Sequence, residues 1–365
     1  MTEPVPVVVL GGSGYVAGEA VRLLAAHPGF ELAAVVSESR VGSPVAETFP
    51  HLAGSVDGLA FVAWESLAGL FAGIAAGAKR CALVSAAPHG ASAALVARTL
   101  ALAEASGVAL SVVDLSADFR FAAGAEYADV YGHPHPAPEL LGRFVRALPE
   151  HVARKADAEP GLCVAHPGCF TTSVLLAVVP LLARGLAEPR FAITAITGST
   201  GSGRTLSDKT HHPARRSNVA AYSPLAHRHA PEMAALAAAA AGSARPEIAF
   251  VPLSGPQARG IYATVQGRLA PRGGGVTTAE VVAELADFYA GCPFVAVAAT
   301  PPALTEVVGT NRARLGVACA AGSLAVTVAI DNLVKGAAGG GVQWLNRIYG
   351  YDEAAGLAAA GLGWF

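Results

Sequence analysis

The segment His166-Pro167-Gly168-Cys169-Phe170-Thr171-Thr172 sets a cysteine directly after a proline-glycine turn and ahead of an apolar helical run, Val174 to Leu182. Thr171, Thr172 or Ser173 can cap that helix. Cys169 then falls at a helix N-terminus, where the dipole and unpaired N–H groups stabilise a thiolate. The same donors could form an oxyanion hole. Pro180, inside the run, predicts a kink or an early break. A thiolate in acyl transfer needs a proton carrier. The cluster His227-Arg228-His229, followed by Glu232, is the best supply. Metal binding by His211, His212, His227 and His229 is the competing reading. No carboxylate or cysteine stands at ligand spacing beside them, so no metal is expected.

A second constellation lies at the N-terminus. Gly12-Ser13-Gly14-Tyr15-Val16-Ala17, with Gly11 before it, fits G-x-G-x-x-[G/A] and follows the apolar run Val5 to Leu10. Glycines allow a tight turn and close approach of a pyrophosphate, and the helix N-terminus supplies N–H donors and partial positive charge. Ala17 is tolerated because that position limits only helix–strand packing. The next strand is followed by Ser37-Glu38-Ser39-Arg40. Ser39 and Arg40 favour a 2′-phosphate and hence NADP, whereas Glu38 suits a ribose hydroxyl. The plain alternative is a solvated loop.

These residues need elements to hold them. Val5 to Leu10 reads as a buried strand. A helix follows, with Val16, Ala20, Val21, Leu23 and Leu24 on one face, ended by His27-Pro28-Gly29. Glu31 to Val36 is a second strand. Further strands are expected at Cys81 to Ser85 and Leu110 to Leu115, with alanine-rich helices between. This alternation predicts a parallel sheet covered by helices on both faces. Beyond about residue 165 longer strands appear: Phe191 to Thr197, Glu247 to Val251, Ile261 to Val265, Val317 to Ala320 and Ser323 to Ile330. They predict a second α+β domain with a mixed or antiparallel sheet. Gly201 to Ser223 is polar, basic and aperiodic, as functional loops often are.

With 365 residues the chain has room for two domains and ample core. Hydrophobic residues make up 53% and charged residues 14%, yet no run is long and apolar enough to read as a membrane span. Met1 to Pro6 lacks the basic-then-apolar pattern of a secretory signal. Net charge is −2 with no basic cluster, so nucleic acid is a poor partner. The five cysteines are scattered, without a CxxC pair. A reducing cytoplasm fits, and Cys81, Cys163, Cys292 and Cys319 read as structural.

Taken in order, the motifs make the chain resemble the N-acetyl-γ-glutamyl-phosphate reductase family of arginine biosynthesis. They are Gly11-Gly12-Ser13-Gly14-Tyr15 with Glu19; Ala87-Pro88-His89-Gly90; Asp114 to Arg120; Leu148-Pro149-Glu150; Pro167 to Phe170; Gly198 to Arg204; His227 to Glu232; Arg259-Gly260; Gly309-Thr310-Asn311; and Asp331 to Gly339. His166 and Thr171 stand where the family commonly has Asn and Pro. Glu38 stands where it often has Arg. Thr210-His211-His212-Pro213 also resembles a related reductase of lysine biosynthesis, which acts on phosphorylated aminoadipate attached to a carrier protein.

The resemblance implies a glyceraldehyde-3-phosphate dehydrogenase-like fold. Residues 1–165 with 332–365 would form the Rossmann-type dinucleotide-binding domain, and 166–331 the catalytic and oligomerisation domain. It implies NADP as cofactor and a small acyl phosphate as substrate. Cys169 would be the nucleophile, forming a thioester that is reduced to a semialdehyde, with His227 as acid/base and His229 as the alternate. Cofactor contacts would come from Gly11, Gly12, Ser13, Gly14, Tyr15, Val16, Ser37, Ser39, Arg40, Pro88 and Asn332. Substrate contacts would come from Arg120, Arg204, His229, Glu232 and Arg259, the arginines because guanidinium grips phosphate and carboxylate bidentately. The plain alternative for the arginines is an interdomain ion pair. The resemblance also implies a homo-oligomer, dimer or tetramer. Rival readings are the carrier-linked reductase, more remotely aspartate-semialdehyde dehydrogenase, and a non-catalytic dinucleotide sensor.

Overall fold

The computed structural model describes residues 3–153, 159–271 and 276–363. They divide into two compact units. Residues 3–147, 159–166 and 337–358 make the first; residues 148–153, 167–271, 276–336 and 359–363 make the second. Among the described residues no helix is long and apolar enough to cross a membrane.

The first unit is built on seven parallel strands: β1 (Val5–Leu10), β2 (Phe30–Val36), β3 (Phe61–Val62), β4 (Arg80–Ser85), β5 (Ala109–Asp114), β6 (Phe144–Arg146) and β7 (Cys163–Ala165). Their order is β3-β2-β1-β4-β5-β7-β6. Val7, Val8, Val9 and Leu10 are fully buried, as a central strand covered on both faces requires. At about 1.5–3 kcal/mol per fully buried aliphatic side chain, β1 anchors the sheet. The chain leaves β1 toward β2 on one side, and β4 lies on the other. This is a topological switch point, where such sheets open a crevice for ligands. Helix Gly339–Tyr349 returns to this unit, and a Cβ added at Gly341 would lie 3.2 Å from Leu115. Tyr349 Oη donates to the Cys81 carbonyl at 2.7 Å and fixes the helix on the sheet.

The second unit carries a mixed sheet: β8 (Arg190–Thr197), β9 (Ala220–Ala221), β10 (Glu247–Ser254), β11 (Ile261–Arg268), β12 (Val295–Ala298), β13 (Ala313–Ala320) and β14 (Ser323–Ile330). The order is β12-β13-β14-β11-β8-β10-β9. The central pairs β8–β11, β11–β14 and β14–β13 are antiparallel, while β8–β10 and β12–β13 are parallel. Along β8 buried and exposed residues alternate. The buried face packs under helix Cys169–Ala183, which is apolar almost all round, and helix His229–Ala241.

Two expectations need correction here. A kink or an early break was expected at Pro180; the break does not occur, and the helix continues to Ala183. Proline has no N–H for the carbonyl four residues back. That carbonyl, on Leu176, accepts the Tyr289 hydroxyl at 2.7 Å, so the gap is filled from a neighbouring helix. The unit boundaries also differ. Asn332 to Gly336, residues 148–153 and residues 359–363 cluster with the second unit. Asn332 stays there because its side-chain amide bonds Gly260 and Thr200 of that unit.

Candidate active site

In the second unit, helix Cys169–Ala183 begins at the cysteine itself. Gly168 is its N-cap, extended at φ −60° and ψ 157°, and no side chain caps the terminus. The expected cap by Thr171, Thr172 or Ser173 is therefore corrected. All three are buried within the helix; Ser173 Oγ donates back to the Phe170 carbonyl at 2.8 Å. The Gly168 carbonyl takes the first helical bond, from Thr172 N–H at 2.7 Å. The positive end of the helix dipole thus lies at a half-buried thiol.

Two side-chain systems fix this turn. Gly168 N–H donates to Glu232 Oε1 at 2.8 Å. Glu232, expected among the substrate contacts, is fully buried and holds the nucleophile's turn. On the other side Gly336 presses against the cysteine. A Cβ there would stand 2.8 Å from Cys169 Cβ and 3.1 Å from its Cα, so only glycine fits. Gly336 sits in a single π-helical turn, Val334–Ala338. Asp331 secures that turn. Its carboxylate accepts the N–H groups of Gly309, Leu333 and Val334 and both Nε and Nη2 of Arg259, and its carbonyl accepts Gly336 N–H. Lys335 and Glu150, both fully buried, pair beside it.

His227 and His229 pack on Phe170, the residue after the cysteine, with ring centroids 5.8 Å and 6.1 Å from its own. Tyr222 and Phe250 complete a cage around His227, each 5.5 Å away. Burial in this cage, and then Arg228, bring the His227 pKa down to about 4. His229 N–H donates to His227 Nδ1 at 3.2 Å, which leaves Nε2 to carry the proton of the neutral ring. Tyr222 feels the Cys169 sulfur, and its phenol is pushed upward mainly by burial.

The glycine turn follows β1 at the switch point of the first unit. Gly11 adopts φ +72°, and a Cβ there would strike the Ala87 backbone at 2.6 Å. A Cβ on Gly12 would strike Val35. Gly14 is the N-cap of helix Tyr15–Ala25, which no side chain caps, and a Cβ there would meet only Gly11 O, at 3.8 Å. This open, uncapped terminus fits a pyrophosphate. Ser13, Ser37 and Ser39 form a hydroxyl row. Glu38 points its carboxylate at Trp64 N–H, 2.9 Å away, and Arg40 is exposed beside it. That leaves the serines and Arg40 as the groups suited to a 2′-phosphate. Tyr15 is exposed and Val16 half-buried on the first helical turn. The exposed Pro88 follows Ala87 against Gly11. Asp118 steadies its loop by accepting Gly90 N–H and Ala93 N–H.

The expected arginines separate. Arg120 belongs to the first unit, is buried, and donates to the carbonyls of His166 and Leu115. Arg259 forms the bidentate pair with Asp331. Arg204 is exposed in the loop after Gly203. The guanidinium groups of Arg120 and Arg259 are thus engaged within their own units. Asn332, expected at the cofactor, is buried, with its amide occupied by Gly260 and Thr200.

Comparison with known proteins gives family matches over both units. Residues 6–155 match the profile "Semialdehyde dehydrogenase, NAD binding domain", and residues 169–332 match "Semialdehyde dehydrogenase, dimerisation domain". N-acetyl-gamma-glutamyl-phosphate reductase of Pseudomonas putida (strain W619) is 38% identical over 360 residues, covering 97% of this chain and 98% of that protein. The chain belongs to the N-acetyl-gamma-glutamyl-phosphate reductase family. The Rhodopirellula baltica member is 37% identical over 96% of this chain and 97% of its own. Aspartate semialdehyde dehydrogenase II of Vibrio cholerae shares the fold, with TM-score 0.66 at 14% identity over 95% of this chain and 98% of that one. The Candida albicans enzyme, solved with NADP, reaches TM-score 0.61 at 16% identity over 95% and 98%.

Within this family frame, sequence reasoning missed Tyr222, Arg215, Gly336 and the Lys335–Glu150 pair. Gly336 lay inside a motif quoted for the resemblance, but only coordinates show what it touches. Tyr222 had no signal beyond its place in a polar loop. Among the described residues no cluster of three His, Cys, Asp or Glu could hold a metal. A concavity of about 770 Å³ lined by Arg190, Gln266, Arg268, Cys319 and Ser323 lies at the strand ends opposite Thr197 and Ser254.

Proposed function

We propose that this chain reduces N-acetyl-γ-glutamyl phosphate to N-acetylglutamate 5-semialdehyde and phosphate, with NADPH as reductant. The observation that carries the reading is Cys169, held by Gly168–Glu232 and Gly336 as the first residue of an uncapped helix, with a caged imidazole packed on the neighbouring Phe170. The Cys169 thiolate attacks the acyl carbon, the C–O bond to phosphate breaks, and a thioester forms. This divides one difficult step into two. NADPH, when bound, supplies the hydride, and Gly11 to Val16, Ser37, Ser39, Arg40 and Pro88 are the residues that would hold it.

His227 stays neutral at pH 7 with Nδ1 occupied by the His229 N–H. Nε2–H is then a hydrogen-bond donor to the oxygen that becomes an oxyanion on reduction. Collapse of that oxyanion re-forms the carbonyl and expels the cysteine sulfur as thiolate, so the sulfur returns to its starting charge. A neutral donor is enough for this cycle. The first-turn N–H groups of helix Cys169–Ala183 are further candidates for the oxyanion.

The chain would act in the reducing cytoplasm, which keeps the Cys169 thiol free, and as a homo-oligomer through residues 169–332. Steady-state reduction of NADP with N-acetylglutamate semialdehyde and phosphate, beside the aspartate and aminoadipate semialdehydes, tests the reading. The acetylglutamyl compound should have the highest kcat/KM. Preference for a carrier-bound aminoadipyl substrate would replace it with the lysine-pathway activity.

A further inference from the structure

Arg215 ends a short helix, His212–Arg215, in the basic loop, and only 8% of it is exposed. Nη1 donates to Ser254 Oγ at the end of β10, and Nη2 donates to the Thr197 carbonyl at the end of β8. Nε is buried with no hydrogen-bond partner. Two of the five N–H donors of a guanidinium are therefore engaged. Among the described residues no carboxylate pairs with it. A guanidinium remains charged at neutral pH, and a buried charge without a counter-ion is costly. Arg259, Arg22 and Arg184 each have a carboxylate partner, in Asp331, Glu19 and Asp287, whereas Arg146 is held by three backbone carbonyls; Arg215 has one carbonyl and one hydroxyl.

Its place in the fold explains the cost. Arg215 and the Cys169 sulfur both act on the Tyr222 phenol. A Cβ on Gly201 would lie 3.3 Å from Thr197 Oγ1 and 3.9 Å from Asn332 Nδ2, which links the Arg215 anchor to the 331–336 turn that packs on Cys169. We propose that Arg215 is a substrate-binding residue that receives an oxyanion, either the carboxylate or the phosphoryl group of the substrate. This rests on the acyl-phosphate reductase reading. It gives the site a cation that neither Arg120 nor Arg259 is free to be, because Arg120 holds backbone carbonyls and Arg259 holds Asp331.

In the oxidative direction semialdehyde and inorganic phosphate are separate substrates, so their KM values tell the two sources apart. Arg215→Met should raise one of these KM values at least tenfold while the KM for NADP stays within twofold. A rise for the semialdehyde assigns the carboxylate; a rise for phosphate assigns the phosphoryl group. Arg215→Lys, or guanidinium ions added to Arg215→Met, should recover part of the loss. Should the Met variant not fold, the Lys variant carries the test, with an expected rise of threefold or more. Both anion KM values within twofold of wild type in the folded variants would overturn the proposal. So would a loss confined to kcat that guanidinium does not restore. Titration of the melting temperature with inorganic phosphate and with N-acetylglutamate, on wild type and Arg215→Lys, reads anion binding without turnover. A wild type inactive on every semialdehyde that still shows Arg215-dependent stabilisation would sink the functional reading and leave this site standing.

Discussion

Replacing Gly336 by alanine puts one methyl group against the nucleophile. The added Cβ would stand 2.8 Å from Cys169 Cβ, where carbon atoms normally rest at roughly 3.5–4.0 Å. Something must yield by about 0.7–1.2 Å. The π-helical turn is poorly placed to yield. Its N–H and carboxylate bonds converge on Asp331, Lys335 is locked to Glu150, and the surroundings are buried. Overpacking of this kind costs about 1–3 kcal/mol. For a unit of this size that is a fall in Tm of roughly 2–12 °C. If Cys169 yields instead, a displacement near 1 Å from the reacting geometry costs on the order of 100-fold in kcat. Gly336→Ala should therefore lose 10- to 100-fold in kcat, with KM for NADP little changed, and should melt several degrees lower. Steady-state kinetics and thermal unfolding read both. A variant with wild-type kcat and wild-type Tm would show that the cysteine is not clamped by this turn.

Further outcomes follow from the same geometry. Tyr289→Phe uncovers the buried Leu176 carbonyl at the Pro180 gap, which should cost about 1–3 kcal/mol in denaturant unfolding; adding Pro180→Ala, which restores an N–H there, should return part of it, and an unchanged midpoint in Tyr289→Phe would contradict the account of the unbroken helix. His227 has a folded pKa of about 4 against about 6.5 when unfolded, so the unfolded chain takes the proton first as pH falls. Its stabilising contribution is complete above pH 6.5 and is lost toward pH 4, about 1–2 kcal/mol once solvent screening of the partly exposed ring is counted. Asp114, raised to about 6 mainly by burial, acts in the opposite sense, gaining stability as pH falls below 6. The informative quantity is therefore the difference between wild type and His227→Asn, which should shrink as pH falls from 6.5 to 4. The kcat/KM of wild type should show no ionisation of His227 near 6.5; a limb at that pH that vanishes in His227→Asn would refute the neutral-donor role.

Much of the first unit was legible because its strands are continuous apolar runs. Val5 to Leu10 meets a glycine turn at once, and only a buried parallel strand reads that way. The strands of three residues or fewer, Phe61–Val62, Phe144–Arg146 and Cys163–Ala165, carry too little pattern to be read. In the second unit the five expected strands were found, with ends shifted by up to four residues. Val295–Ala298, a half-exposed edge strand, was missed. The site was legible where chemistry is local: Cys169 after its turn, and the paired histidines. It was not legible where contact is long-range. Glu232 looked like a substrate ligand, yet it closes on Gly168, 64 positions away. Arg259 read as a substrate ligand or an interdomain ion pair, yet Asp331 of its own unit holds it from 72 positions away. Pro180 promised a break because no sequence pattern announces that a tyrosine 113 positions from Leu176 supplies the missing donor.

The central claim is a covalent acyl group on one sulfur. Rapid mixing of the chain with N-acetyl-γ-glutamyl phosphate, without dinucleotide, isolates that step. Wild type should release about one phosphate per active chain in a burst and gain the mass of one acetylglutamyl group on the peptide carrying Cys169, and Cys169→Ser should do neither. Phosphate release without an adduct, or an adduct on another residue, would contradict the account.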